Sequence, residues 1–210
     1  MSSVDGEGAF ASAADGVCPF RLRDGLPPLG EFTIGADFAD LLVSEATSRR
    51  PRAVLEAGSG ISTVLLGHCM QLWAGHVYAL EHLPQYAQLT REWAVRHGVQ
   101  NITVIDAPLQ THVIGGEQWD WYDISNVPAI AYDFLVVDGP PRKTGALARY
   151  PMLPLFAKQL GPSPCLLLDD ADRADEEAIV RRWQAEFPQF RTQRHQTQKG
   201  AVLMTAGSAS

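Results

Sequence analysis

Two glycines set between an apolar run and an apolar helical pattern constrain this chain most. Ala53 to Leu55 reads as a short buried strand. Glu56 follows, then Ala57-Gly58-Ser59-Gly60. Ser62 and Thr63 open a pattern carried by Val64, Leu65, Leu66, Cys69 and Leu72, which predicts a helix over 62–72. The order is strand, glycine turn, helix. Glycine lets the backbone turn sharply and approach a ligand closely. The helix start behind it leaves backbone N–H groups free.

A second strand, His76 to Leu80, ends in Glu81. That acid stands about 20 residues past the glycines, where a ribose-binding carboxylate is expected in nucleotide-type sites. The turn therefore suits an adenosyl cofactor, with Glu56, Gly58, Ser59, Gly60, Ser62 and Glu81 as candidate contacts. The bland alternative is an ordinary tight strand-helix turn. A dinucleotide site usually has a third Gly or Ala for close helix-strand packing. Thr63 occupies that position, which counts against NAD.

Further elements follow in alternation. Asp37 to Ser48 has helical spacing through Phe38, Leu41, Leu42 and Ala46. Leu83 to His97 predicts a helix, with Gly98 as its C-terminal cap. Asn101 to Ile105 predicts a third strand, ending at Asp106-Ala107. Residues 115–127 read as an insertion holding Trp119, Trp121 and Tyr122, aromatics that either pack under it or cover a ligand. Ala131 to Val137 is a fourth strand ending in Asp138-Gly139-Pro140-Pro141. Leu147 to Leu160 is helical in pattern but broken by Pro151 and Pro154. Cys165 to Leu168 is a fifth strand ending in Asp169-Asp170. Asp172 to Phe187 predicts a helix with acids at its start. Phe190 to Thr197 and Ala201 to Thr205 face each other across Gln198-Lys199-Gly200, a hairpin signal. The whole predicts an α/β fold: a Rossmann-like, doubly wound, mostly parallel seven-stranded sheet, helices on both faces, closed by a C-terminal antiparallel hairpin. Residues 1–30 are expected to form a flexible leader, 31–205 one domain, and 206–210 a disordered tail.

Composition narrows the partners. A net charge of −7 with no run of Lys or Arg argues against nucleic acid. No apolar run is long enough to span a membrane. Asp5 and Glu7 stand where a signal peptide would carry bases. Cys18, Cys69 and Cys165 have neither metal nor redox spacing, so a reducing cytoplasm is expected. The sequence leaves the oligomeric state open, a homodimer included.

The Glu56-x-Gly58-Ser59-Gly60 run resembles motif I of class I S-adenosylmethionine-dependent methyltransferases. In that family the turn holds the methionine end of the cofactor. The resemblance spans Val54 to Thr205, and the closing hairpin matches it. Tyr132-Asp133-Phe134, Asp138-Gly139-Pro140-Pro141, Arg149-Tyr150-Pro151 and Asp169-Asp170-x-x-Arg173 resemble a little-characterised bacterial branch. The resemblance implies S-adenosylmethionine as cofactor, Glu56 at its amino-acid end, Glu81 on its ribose, and Asp106-Ala107 near the adenine. His82 is a candidate base or adenine-edge residue; a half-exposed loop histidine is the alternative.

Asp138, Asp169 and Asp170 are brought by two strand ends to one rim. Such oxygen ligands suit Mg²⁺. They resemble the cation-binding acids of catechol-type O-methyltransferases, though the last pair here is Asp-Asp and Lys143 is displaced from that family's catalytic lysine. Asp138, Asp170 and Lys143 are the candidate catalytic residues. Alternatively, Arg173 and Arg149 neutralise the acids as ion pairs. The expected function is methyl transfer to a small-molecule acceptor at oxygen. The alternatives are a sugar or polysaccharide O-methyltransferase, since Val-Asp-Gly-Pro also resembles sugar-acid enzymes of plant cell walls, an NAD-dependent oxidoreductase, or a non-catalytic S-adenosylmethionine-binding partner.

Overall fold

The computed structural model describes residues 34–207. The expected leader, 1–30, lies outside the described residues. Strands β1 (Ala53–Ala57), β2 (His76–Glu81), β3 (Ile102–Asp106), β6 (Tyr132–Val137), β7 (Leu160–Leu168), β8 (Phe190–His195) and β9 (Ala201–Ala206) form one seven-stranded sheet in the order β3-β2-β1-β6-β7-β9-β8. The first five run parallel and β9 is antiparallel to both neighbours. β9 reaches Ala206, so the expected tail begins one residue too early, and residues 208–210 lie outside the described residues.

Alternation sorts the central strands onto two cores. Val54, Val77, Phe134, Val136 and Leu167 pack against α1 (Ala36–Arg49) and α2 (Ile61–Gln71). Leu55, Leu80, Leu135, Val137 and Leu166 face α4 (Met152–Phe156) and α5 (Ala174–Glu186). β1 is buried on both faces, as a central parallel strand must be. α3 (Pro84–Arg96) joins the first layer through Ala94 against Val64 and Val99. Pro84 opens that helix at a position where its missing N–H costs nothing. Gly98 follows with φ +68°, and Val99 N–H caps the Ala94 carbonyl, as the cap reading expects.

Two expectations are corrected. Residues 115–127 are not an irregular insertion. β4 (Leu109–Ile114) and β5 (Glu117–Tyr122) form a separate antiparallel hairpin around Gly115-Gly116, both at positive φ. It lays Trp121 and Tyr122 into the second core, so part of that face is covered by strands rather than a helix. The 147–160 helix shrinks to the five residues of α4, followed directly by a 3₁₀ turn over Ala157–Gln159. Pro151 caps it and Pro154 lies in its first turn, the two places where proline breaks no helical hydrogen bond.

Candidate active site

The strand order reverses between β1 and β6, and ligands in open α/β sheets sit at that point, beyond the strand ends. Two glycine loops meet there. Gly58, at φ +95°, turns the chain out of β1. Gly139, after β6, leans on it: a Cβ at Gly139 would stand 3.2 Å from the Ala57 carbonyl and from Gly58 Cα, and would collide with Tyr122 Oη. Gly60 is different, since a Cβ there would meet no described atom within 4 Å. The space on its free side is open.

Glu56 points to the α2 side and is fully buried. Thr63 Oγ1 donates to its Oε2 over 2.6 Å and accepts from Gly60 N–H. The residue that stands where a dinucleotide site keeps a small residue thus ties the strand, turn and helix together. Glu56 Oε1 is buried and receives no hydrogen bond of good geometry, although the Ser62 hydroxyl lies close enough to influence the carboxyl. Burial pushes its carboxyl up to about 8, against the lowering influence of the Ser62 and Thr63 hydroxyls.

Glu81 accepts from Ser59 N–H (3.2 Å) and Oγ (3.3 Å) on one oxygen and from Leu83 N–H (3.0 Å) on the other. A carboxylate has about four acceptor positions, so the ends of β1 and β2 are joined with capacity left for a ligand. His82 Nδ1 stands 3.1 Å from Glu81 Oε1 without hydrogen-bond alignment, and its ring meets Tyr122 edge-on. Asp106, which the resemblance puts near the adenine, ends β3 at the surface. Its side chain is 63% exposed and pairs with Arg91 at 2.9 Å. Ala107 is buried, its N–H bound to the Glu81 carbonyl.

Asp138, Asp169 and Asp170 each present an oxygen within 4.8 Å of the others. Arg149, 4% exposed, stands among them. Its Nη2 donates to Asp170 Oδ2 at 2.7 Å, to the Asp138 carbonyl at 2.9 Å and to Asp138 Oδ1 at 3.4 Å. Its Nη1 donates to the Asp169 carbonyl. Arg173 pairs with the same Asp170 Oδ2 at 2.7 Å, and Lys199 Nζ lies 3.8 Å from Oδ1. Glu176 lies 3.7 Å from Arg149 Nε. A quarter of the Asp138 side chain reaches solvent, yet the burial around its carboxyl pushes it up to about 7 against the pull of Arg149. Burial likewise raises Asp169 to about 6. Asp170 adopts a left-handed φ of 57°, which aspartate tolerates better than most residues.

Lys143 sits exposed on the 3₁₀ turn 142–144 and pairs with none of these acids. The lysine at the cluster is Lys199, from the β8–β9 turn. No local pattern could have shown that, because strand pairing brings it there.

No protein-family profile matches the chain, and no curated relative does. Solved structures do. An O-methyltransferase from Bacillus cereus in complex with SAH superposes with a TM-score of 0.65 at 17% identity, over 85% of this chain and 84% of that one. The SAH-bound methyltransferase PaMTH1 of Podospora anserina gives 0.63 at 16%, over 86% and 81%. The O-methyltransferase TomG of Streptomyces achromogenes, involved in tomaymycin synthesis and in complex with SAM, gives 0.64 at 16%, over 85% and 83%. With its sheet order and closing hairpin, the chain has the Rossmann-like fold of class I S-adenosylmethionine-dependent methyltransferases.

Proposed function

We propose that the chain is an S-adenosylmethionine-dependent methyltransferase that methylates a hydroxyl oxygen of a small-molecule acceptor. The observation that carries this is the open side of the Gly60 turn at the switch point, flanked by Glu56 and Glu81. The residues fit the cofactor. Glu56 offers a cationic amino group a buried oxygen that receives no hydrogen bond of good geometry, and Glu81 has acceptor positions free for ribose hydroxyls. When bound, the cofactor supplies an electrophilic methyl on a sulfonium. The chain's part is alignment and proton transfer. Asp138 would take the acceptor's proton, since its carboxyl is pushed up to about 7 and exchanges protons near neutrality. Asp170 would hold Arg149, and Arg149 would hold Asp138.

Mg²⁺ fits less well. Asp170 Oδ2 already faces two guanidiniums and Oδ1 faces Lys199. A metal would have to displace one of them or share their acids, so we read the cluster as compensated by Arg149 and derive no step through a metal. Among the described residues no helix is long and apolar enough to cross a membrane. The two described cysteines are free and buried, which suits a reducing cytoplasm.

Calorimetry with S-adenosylmethionine and with NAD⁺ tests the assignment: binding of the first and not the second is expected, and the reverse overturns it. With labelled cofactor and a panel of hydroxyl-bearing acceptors, turnover is expected to survive chelator. Loss on chelation with recovery in Mg²⁺ would reverse the metal reading alone.

A further inference from the structure

The hairpin β4–β5 ends on a residue that no motif pointed to. Tyr122 is the last residue of β5, paired with Leu109 across the hairpin. Its backbone is fixed: His112 Nε2 donates to its carbonyl at 2.9 Å, and the next N–H, of Asp123, binds the Pro108 carbonyl. Its ring is fixed too, edge-on to Trp121 with centroids 5.1 Å apart and to His82 with centroids 5.8 Å apart. These contacts aim Oη at Gly139, on the side of that glycine that also faces the Ala57 carbonyl and Gly58 Cα.

The hydroxyl has no partner there. Tyr122 is 1% exposed as a residue, yet its Oη makes no hydrogen bond to another described residue and is not itself sealed off. The other fully buried tyrosines on this face behave otherwise. Tyr132 donates to the Pro128 carbonyl at 2.8 Å and Tyr150 to Glu186 Oε2 at 2.7 Å. A hydroxyl left unpaired within the chain and still accessible has a donor to offer a ligand. Burial, then the nearby charge of Glu81, keep this phenol protonated against the opposing pull of Arg149, with Asp138 and Glu56 adding smaller support. It is therefore a donor and needs an oxygen. An anionic oxygen is disfavoured among three acids. A ligand hydroxyl suits the place, since it can donate to Glu81 while accepting from Tyr122.

We propose that Tyr122 is a cofactor-binding residue: its hydroxyl donates to a ribose oxygen of the adenosyl group held by Glu81. The hairpin thus supplies the second half of a ribose clamp whose first half is the acid at the end of β2. This rests on the methyltransferase reading.

The test uses SAH, which reports cofactor binding without an acceptor, on the full chain and on Tyr122→Phe. SAH affinity is expected to fall about tenfold in the variant. 5′-Methylthioadenosine, which keeps the ribose and lacks the amino-acid end, is expected to weaken by the same factor. The melting temperature of ligand-free Tyr122→Phe is expected to equal or exceed that of the parent, because an unpaired polar atom has been removed. A lower ligand-free melting temperature with unchanged SAH affinity makes Tyr122 structural and overturns the proposal. Unchanged SAH affinity with impaired turnover moves the hydroxyl to the acceptor and overturns it as well. If the unaltered chain binds no SAH, the methyltransferase reading fails, and this one with it.

Discussion

The two halves of the cleft rim handle negative charge in opposite ways. At the ends of β1 and β2, Glu56 and Glu81 are met by neutral donors: the Thr63 hydroxyl, the Ser59 hydroxyl and N–H, and the Leu83 N–H. No Lys or Arg pairs with them among the described residues. At the ends of β6 and β7, Asp138 and Asp170, with Glu176 from the first turn of α5, are met by Arg149, Arg173 and Lys199, and Arg149 also binds the Asp169 carbonyl. Buried carboxylates need compensation, and the source of it divides the rim. One half is closed on itself. The other meets its acids with neutral donors, its Glu56 carboxyl pushed up to about 8, and on the methyltransferase reading a cationic ligand supplies the complement.

The largest expected effect breaks the self-contained half. Arg149→Met removes the cation shared by Asp138, Asp170 and Glu176, and chemical denaturation should show a loss of about 3–5 kcal/mol, as when one partner of a buried pair is deleted. A loss below about 1 kcal/mol would mean that Arg173 and Lys199 suffice. Two variants then sharpen the open half. Gly60→Val should leave the melting temperature of the free protein near that of the parent, since a Cβ there meets nothing, yet crowd the cofactor at a cost of about 1–3 kcal/mol in calorimetry. Unchanged affinity would put the cofactor elsewhere. Glu81→Ala should weaken S-adenosylmethionine by about 1–3 kcal/mol, the range for a lost charged hydrogen bond. Arg149→Lys, by contrast, should leave cofactor affinity unchanged; a parallel loss would erase the distinction between the halves.

The smallest effect is a slope. Glu56 titrates at about 8 in the fold and near 4.5 in the free state. The fold therefore favours its protonated form. That contribution is fully present below about 4.5 and is lost as pH rises through about 8. Stability of the ligand-free protein, measured by denaturant across this window, should fall less steeply in Glu56→Gln. Identical slopes would show that Glu56 is ionised throughout.

Legibility in the sequence followed the range of the physics. The parallel strands and their terminal acids were readable, because buried strands are apolar runs and each run ends in a carboxylate. His76 to Glu81 falls where the spacing predicts it. The β4–β5 hairpin was missed although its signal is local: Gly115-Gly116 lies between two six-residue runs that pair in register. The aromatic content of the second run, Trp119, Trp121 and Tyr122, drew attention from its alternation. Site residues divided by sequence distance. Arg173, one turn from Asp170, and Arg149 could be named as partners from charge alone. Lys199 could not, since the antiparallel return of β9 delivers it. Lys143 is close to Asp138 along the chain, but the 142–144 turn carries it out into solvent.

The contact between Gly58 and Gly139 has a kinetic consequence. Backbone meets backbone there with no side chain to act as a cushion, so the loop carrying Asp138 cannot shift without pushing the turn out of β1. On the methyltransferase reading, a cofactor seated at the Gly58 turn would thereby fix the loop that carries Asp138. Catalysis at such a joint should be sequential and ordered, methyl donor first. Product-inhibition patterns read that order directly, and random addition would show that the two loops slide independently.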